Sequence, residues 1–173
     1  MKYFLIVLHE LAHACAARVF GCKIHHIRIG SGRQLVEIGL FGIILRIHAR
    51  PFGGGTLSRP QNREWYRSSV WLNTLAGPAL HVIFLLAFGF FSPGSLYLGN
   101  IVKNVFVGFA PLDAFVIANV FLLAQSLFPK KIMTAKGARY SDGYKLAMIP
   151  FLSDQEIDQI DRAFLLAESE GRL

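Results

Sequence analysis

The stretch FLIVLHELAHACAARVF, residues 4–20, decides how this chain is read. It has the apolar character of a membrane helix, yet His9, Glu10 and His13 sit in its middle. Ionisable side chains inside a membrane span are expensive and usually functional. A cleaved signal sequence is the plain alternative, since Lys2, an apolar run and Ala14-Cys15-Ala16 fit its outline. A segment that is only inserted and discarded has no use for two imidazoles and a carboxylate, so that alternative is set aside.

The rest of the chain supports the membrane class. Of its 173 residues 53% are hydrophobic and only 17% charged, and mean hydropathy is +0.43, too apolar for an ordinary soluble domain. The net charge of +7 does not point to nucleic acid, because the basic residues lie in loops beside apolar runs, where membrane orientation explains them. Cys15 and Cys22 read as free thiols rather than as a disulfide or metal pair.

Three apolar segments stand out, over residues 3–20, 68–91 and 104–128. At 1.5 Å per residue each reaches across about 30 Å of hydrocarbon, the first only barely. Lys23, Arg28, Arg33, Arg46, Arg50, Arg59, Arg63 and Arg67 fill the first loop, and Lys130, Lys131, Lys136 and Arg139 follow the third segment. Only Lys103 lies between the second and third. The positive-inside rule therefore puts the first loop and the C-terminus in the cytoplasm. The chain closes on SDQEIDQIDRAFLLAESE, where Ser153 and Glu156 have capping-box spacing before an amphipathic helix. The expected fold is an α-helical membrane protein: about three transmembrane helices forming a catalytic core, a small membrane-associated β-hairpin at about residues 24–56 between helices 1 and 2, and a short C-terminal amphipathic helix. Residues 1–146 are the expected core and residues 147–173 a cytoplasmic helical tail.

His9-Glu10-Leu11-Ala12-His13 is an HExxH motif. Residues i and i+4 of a helix share one face, so both imidazoles can reach one metal ion. Glu10, one position along, can take the proton of a water that the metal makes acidic. One protein ligand is then missing. His25, His26, His48, His81, Asp113 and Asp142 are candidates, and chemistry alone does not choose among them.

The order of motifs resembles the site-2 protease family of intramembrane zinc metalloproteases. HELAH lies in an early apolar helix. A strand-like loop follows and closes on Pro51-Phe52-Gly53-Gly54, similar to the family's hairpin region. Asn73-Thr74-Leu75-Ala76-Gly77-Pro78 is similar to the family's NxxAGP, and Leu127-Phe128-Pro129 followed by Asp142-Gly143 is similar to its NLxP…DG. The likeness covers residues 3–146. It implies one Zn2+ per chain held by His9, His13 and Asp142, Glu10 as general base and acid, and Asn73, Gly77, Pro78, Gly53 and Gly54 as supporting or substrate-binding residues. The chain departs from the pattern in two places. Ser126 stands where the family has Asn, with Asn119 further back, and an insert at residues 130–140 lengthens the approach to Asp142.

Physical readings accompany these pieces. Gly77 and Pro78 can bend the second helix or let backbones pack closely. A substrate helix has its backbone groups paired internally, so cleavage needs it unwound, and a strand edge can hold the unwound segment by main-chain hydrogen bonds. The expected activity is hydrolysis of peptide bonds within or near the membrane. The expected partners are a single-span protein substrate and the lipid bilayer, with no nucleic acid, and a homo-oligomer is compatible with the sequence. The expected location is a bacterial or archaeal plasma membrane, and the further N-terminal spans of some relatives are expected to be missing. The alternatives are an inactive pseudoprotease serving as a membrane adaptor, and a membrane protein that binds or transports metal.

Overall fold

The computed structural model describes residues 1–91, 111–134 and 137–170. Helix α1 (Lys2–Val19) leads into a long hairpin of β1 (Cys22–Leu40) and β2 (Ile43–Pro60). Helix α2 (Tyr66–Phe91) and helix α3 (Pro111–Leu127) follow. A small hairpin, β3 (Lys131–Thr134) with β4 (Gly137–Tyr140), leads to helix α4 (Asp142–Met148), a 3-10 turn (Ile149–Phe151) and helix α5 (Asp154–Ser169).

Among the described residues, only Tyr66–Phe88 in α2 is long and apolar enough to cross a membrane, 23 residues at mean hydropathy 1.7. This corrects the expectation of about three transmembrane helices forming the core. Helix α1 is 18 residues long and carries Lys2, Glu10 and Arg18 besides its two histidines, so no full-length window of it is apolar enough. Helix α3 has 17 residues, about 26 Å at 1.5 Å per residue, short of the ~30 Å hydrocarbon layer. Residues 104–110 of the third expected segment lie outside the described residues. All three helices nonetheless leave large apolar side chains exposed, among them Phe4, Leu11, Ile83, Leu86 and Phe121.

The core lies between α1, α3 and the base of the long hairpin. Leu5, Ile6, Ala14 and Ala17 of α1 pack with Cys22, Ile24, Ile27 and Ile29 of β1 and Leu122 of α3. The inward residues of β1 change parity between Ile24 and Ile27, which a regular strand forbids because alternate side chains face opposite sides. A bulge resolves this. Ile24 pairs with Ser58 and His26 with Leu57, leaving His25 as the extra residue, so both isoleucine pairs reach the core. Residues 26–29 face Ile44–Ile47 on their other side, which makes the base of β1 an inner strand. Its outer neighbour, residues 54–60 of β2, pairs with no second strand among the described residues. Beyond the base the arm is mostly exposed and ends at Phe41 and Gly42, whose φ angles of 51° and 76° are the paired positive values of a tight hairpin turn.

Helix α5 straps this assembly. Ser153 and Glu156 form the capping box that starts it, and Ile157 is its buried anchor. Its acids lie on one face at helical spacing. Asp154 pairs with Arg67, Asp158 with Arg63, Asp161 with Arg59 and Glu168 with Lys23. The Arg59–Asp161 pair is bidentate at 2.6 and 2.9 Å and is the least exposed of the four, so it is the strongest. The hydrogen bonds from Arg59 hold the Asp161 carboxyl below its ordinary value. A lowered folded-state pKa gives stability that is complete above the unfolded carboxylate range, about 3.9, and is lost as pH falls through the lowered value. Arg59→Ala is therefore expected to speed amide hydrogen exchange across residues 154–169 at neutral pH and leave residues 5–17 protected. Raising salt from about 0.1 to 1 M, which shortens the Debye length from about 10 to 3 Å, is expected to move the wild type in the same direction. Unchanged exchange in the variant would mean that the Arg59–Asp161 pair is not what holds the strap.

Candidate metal centre

Among the described residues, His9, His13 and Asp142 form a group whose ligand atoms all lie within 4.8 Å of one another. His9 Nε2 is 3.1 Å from His13 Nε2 and 3.2 Å from Asp142 Oδ2, and His13 Nε2 is 3.5 Å from the same oxygen. Ligands about 2.0–2.1 Å from a tetrahedral zinc ion stand about 3.3 Å apart. The triangle has the edge lengths of one tetrahedral face, and the N2O donor set suits zinc. The residues present therefore fit the ion.

Helix spacing alone brings the two imidazoles together. Asp142 arrives from 133 positions away. The basic insert at residues 130–140 folds as the β3–β4 hairpin, in which Lys131 pairs with Tyr140. Ser141 N then donates to Lys130 O at 3.0 Å, so the chain returns to where it left. The Ser141 hydroxyl caps α4 by accepting from Tyr144 N, and Asp142 falls in the first turn, where a carboxylate complements the helix dipole. Gly143 lets this turn lie directly on the end of α3, since a Cβ there would overlap the carbonyl of Leu127. Burial alone would raise the Asp142 carboxyl, but the His13 and His9 imidazoles outweigh it and hold it well below the usual carboxylate range. It is an anion at neutral pH.

Surrounding groups orient the ligands. His13 Nδ1 donates to the backbone oxygen of Asn73 at 2.6 Å, which leaves the lone pair on Nε2, the atom facing the triangle. Ser126 Oγ donates to Asp142 Oδ2 at 2.6 Å. The residue that stands in for the family's Asn is thus engaged with the carboxylate. Gly77 lies against both imidazoles, and a Cβ there would meet His13 Nε2 and His9 Cε1 and Nε2. Pro78 beside it is fully buried within α2.

Glu10 is 4% exposed and lies against β2. Thr56 Oγ1 sits 2.9 Å from Glu10 Oε2 and 3.1 Å from the Glu10 backbone oxygen. Gly54 runs directly beside the carboxylate, where any Cβ would collide with Oε1, Cδ and Cγ. The remaining expected residues are placed less directly. Gly53 takes a left-handed φ of 68° with open space around it, so it shapes the strand rather than touching the triangle. The Asn73 side chain donates to Ser58 Oγ at 2.8 Å, and its Oδ1 is buried without a partner among the described residues.

Of the other candidate ligands, His81 stacks on the His9 ring, outside the ligand group, while His25, His48 and Asp113 are engaged elsewhere. His25 packs against Phe164 of α5 and His48 holds Gly32 O at 2.8 Å. Asp113 lies in the first turn of α3, outside the ligand group. Thr56 was not legible as a site residue, because nothing local separates it from any other strand threonine.

Comparison with known proteins bears on the same residues. Residues 2–163 match the profile of peptidase family M50. Three bacterial proteins with the name "Putative zinc metalloprotease" are similar over shorter stretches. The Helicobacter pylori protein is 36% identical over 64 residues, which is 37% of this chain and 18% of that protein. Those of Chlamydia trachomatis and Campylobacter jejuni are each 43% identical over 51 residues, 30% of this chain and 8% and 14% of theirs. The matched regions thus span less than a fifth of each relative's length.

Proposed function

The chain belongs to peptidase family M50, the site-2 protease family, and from that premise we propose that it is a zinc endopeptidase that cuts transmembrane or membrane-proximal segments of a single-span protein. His9, His13 and Asp142 are the zinc ligands in this reading and Glu10 is the general base. The observation that carries it is the ligand triangle with tetrahedral edge lengths, with a buried carboxylate one residue from the first ligand.

Zinc bound there would supply Lewis acidity, making a water acidic near neutral pH and polarising the scissile carbonyl. The chain's own residues do the rest. Thr56 holds Glu10 Oε2, leaving Oε1, over Gly54, to take the proton of the attacking water. The same oxygen returns that proton to the departing amine nitrogen, so the carboxylate is regenerated as the C–N bond breaks. Substrate can be presented as a strand. Residues 54–60 of β2 have an edge unpaired among the described residues beside Glu10, and main-chain hydrogen bonds to such an edge hold an extended peptide. The exposed apolar residues of the hairpin arm, Leu35, Ile38, Leu40 and Phe41, and the apolar α2 support action at a membrane.

The test is zinc content of the detergent-purified protein beside His13→Ala and Asp142→Ala, together with cleavage of a single-span substrate panel. About one zinc per wild-type chain, lost in both variants, is expected, with cleavage abolished by chelation and restored by zinc. A wild type that takes up no zinc when offered it would overturn the reading.

A further inference from the structure

Two of the three proposed ligands have hydrogen-bonded support, His13 from Asn73 O and Asp142 from Ser126. His9 does not. Its Nδ1 is buried without a hydrogen-bond partner among the described residues. A metal-ligating imidazole almost always has its second nitrogen held, because the ring must be kept in one orientation. Something else must hold this one.

The His81 ring lies behind His9, with centroids 5.1 Å apart and planes at 27°, a stacked contact within the usual range for ring pairs. His81 is itself locked. Asn119 Nδ2 donates to Phe115 O at 2.8 Å, which fixes the amide so that its Oδ1 faces His81 Nδ1 at 2.8 Å. That oxygen can only accept, so His81 Nδ1 carries the hydrogen. His81 is 1% exposed and Asn119 0%. Two fully buried polar side chains are a costly way to fill space, since Leu or Phe would fill it without desolvating anything. His81 lies outside the ligand group itself, so its contribution is to position a ligand.

We propose that His81, locked by Asn119, is the positioning residue for the zinc ligand His9. The inference rests on the zinc-site reading above and deepens it. A relay from α3 to the ion results: the Phe115 carbonyl fixes Asn119, Asn119 fixes the His81 ring, and that ring limits the rotation of His9. His81 and Gly77 are four residues apart on one face of α2, so this face supplies both the space for the ligands and the wall behind one of them.

The experiment measures zinc affinity by chelator competition in detergent, and the visible absorption of the cobalt-substituted protein, for wild type, His81→Ala, His81→Phe and Asn119→Ala. His81→Ala is expected to weaken zinc by about 10- to 100-fold, the usual effect of losing a ligand's outer support, and to alter the cobalt bands that report four-coordinate geometry. His81→Phe keeps the stack but loses the bond to Asn119, so it is expected to fall between wild type and His81→Ala, alongside Asn119→Ala. Asn119→Ala, which leaves His81 in place but unlocked, moves the same way as His81→Ala to a smaller extent, and decides the matter should His81→Ala not fold. Wild-type affinity and spectrum in His81→Ala and Asn119→Ala would overturn the proposal while leaving the zinc site standing. Equal losses in His81→Phe and His81→Ala would also overturn it, because stacking would then not be the support. A wild type without zinc would remove the zinc-site reading along with it.

Discussion

Glu10→Gln is expected to lower the cleavage rate by roughly 10²- to 10⁴-fold, the usual contribution of a general base, while zinc content stays at the wild-type level. The substitution keeps the side chain's shape and its contact with Thr56 but removes the oxygen that accepts the proton. The ligand triangle does not include Glu10, so the two readouts separate. Gly54→Ala provides an independent check, because its methyl would displace the Glu10 carboxylate without removing it. Zinc loss in Glu10→Gln, or undiminished cleavage, would refute the role given to this carboxylate.

Gly77→Ala is expected to weaken zinc binding by at least about 100-fold, the upper end of what a disturbed ligand support produces. The single added methyl would come within 2.6 Å of His13 Nε2 and His9 Nε2, and α2 cannot retreat easily because Pro78, Thr74 and His81 beside it are buried. In an ordinary helix interior the same change would stabilise by up to about 1 kcal/mol, since Ala is the better helix former. The helix-propensity gain offsets part of the cost of turning the imidazoles aside, so thermal stability of the metal-free protein should change less than zinc affinity does. Retained zinc would show that the two helices can part by the width of a methyl group.

The legible parts of this site were the local ones. His9 and His13 could be paired from sequence because helix geometry fixes residues i and i+4 on one face whatever surrounds them. Asp142 could be singled out only through resemblance, for its approach depends on a hairpin that closes the insert and on Gly143 lying against Leu127. Gly77 was read as a bend or packing glycine, and the imidazoles above it are a tertiary fact. His81 was weighed as a ligand, yet its ring stands behind one. The helix count was misread because apolar runs were measured without their ends. Lys2, Glu10 and Arg18 limit α1, and among the described residues α3 runs for 17. The parity change at His25 was likewise invisible, since a bulge is a property of pairing between strands.

The β3–β4 hairpin separates the length of the chain from the position of Asp142. The excursion leaves at Lys130 and returns at Ser141, and these two residues are joined by backbone and side-chain hydrogen bonds. Paired residues added to or removed from the ladder would lengthen or shorten it without moving the residue that begins the next helix. The segment is thus a length buffer. An epitope or probe spliced into the hairpin is expected to leave the same carboxylate in place.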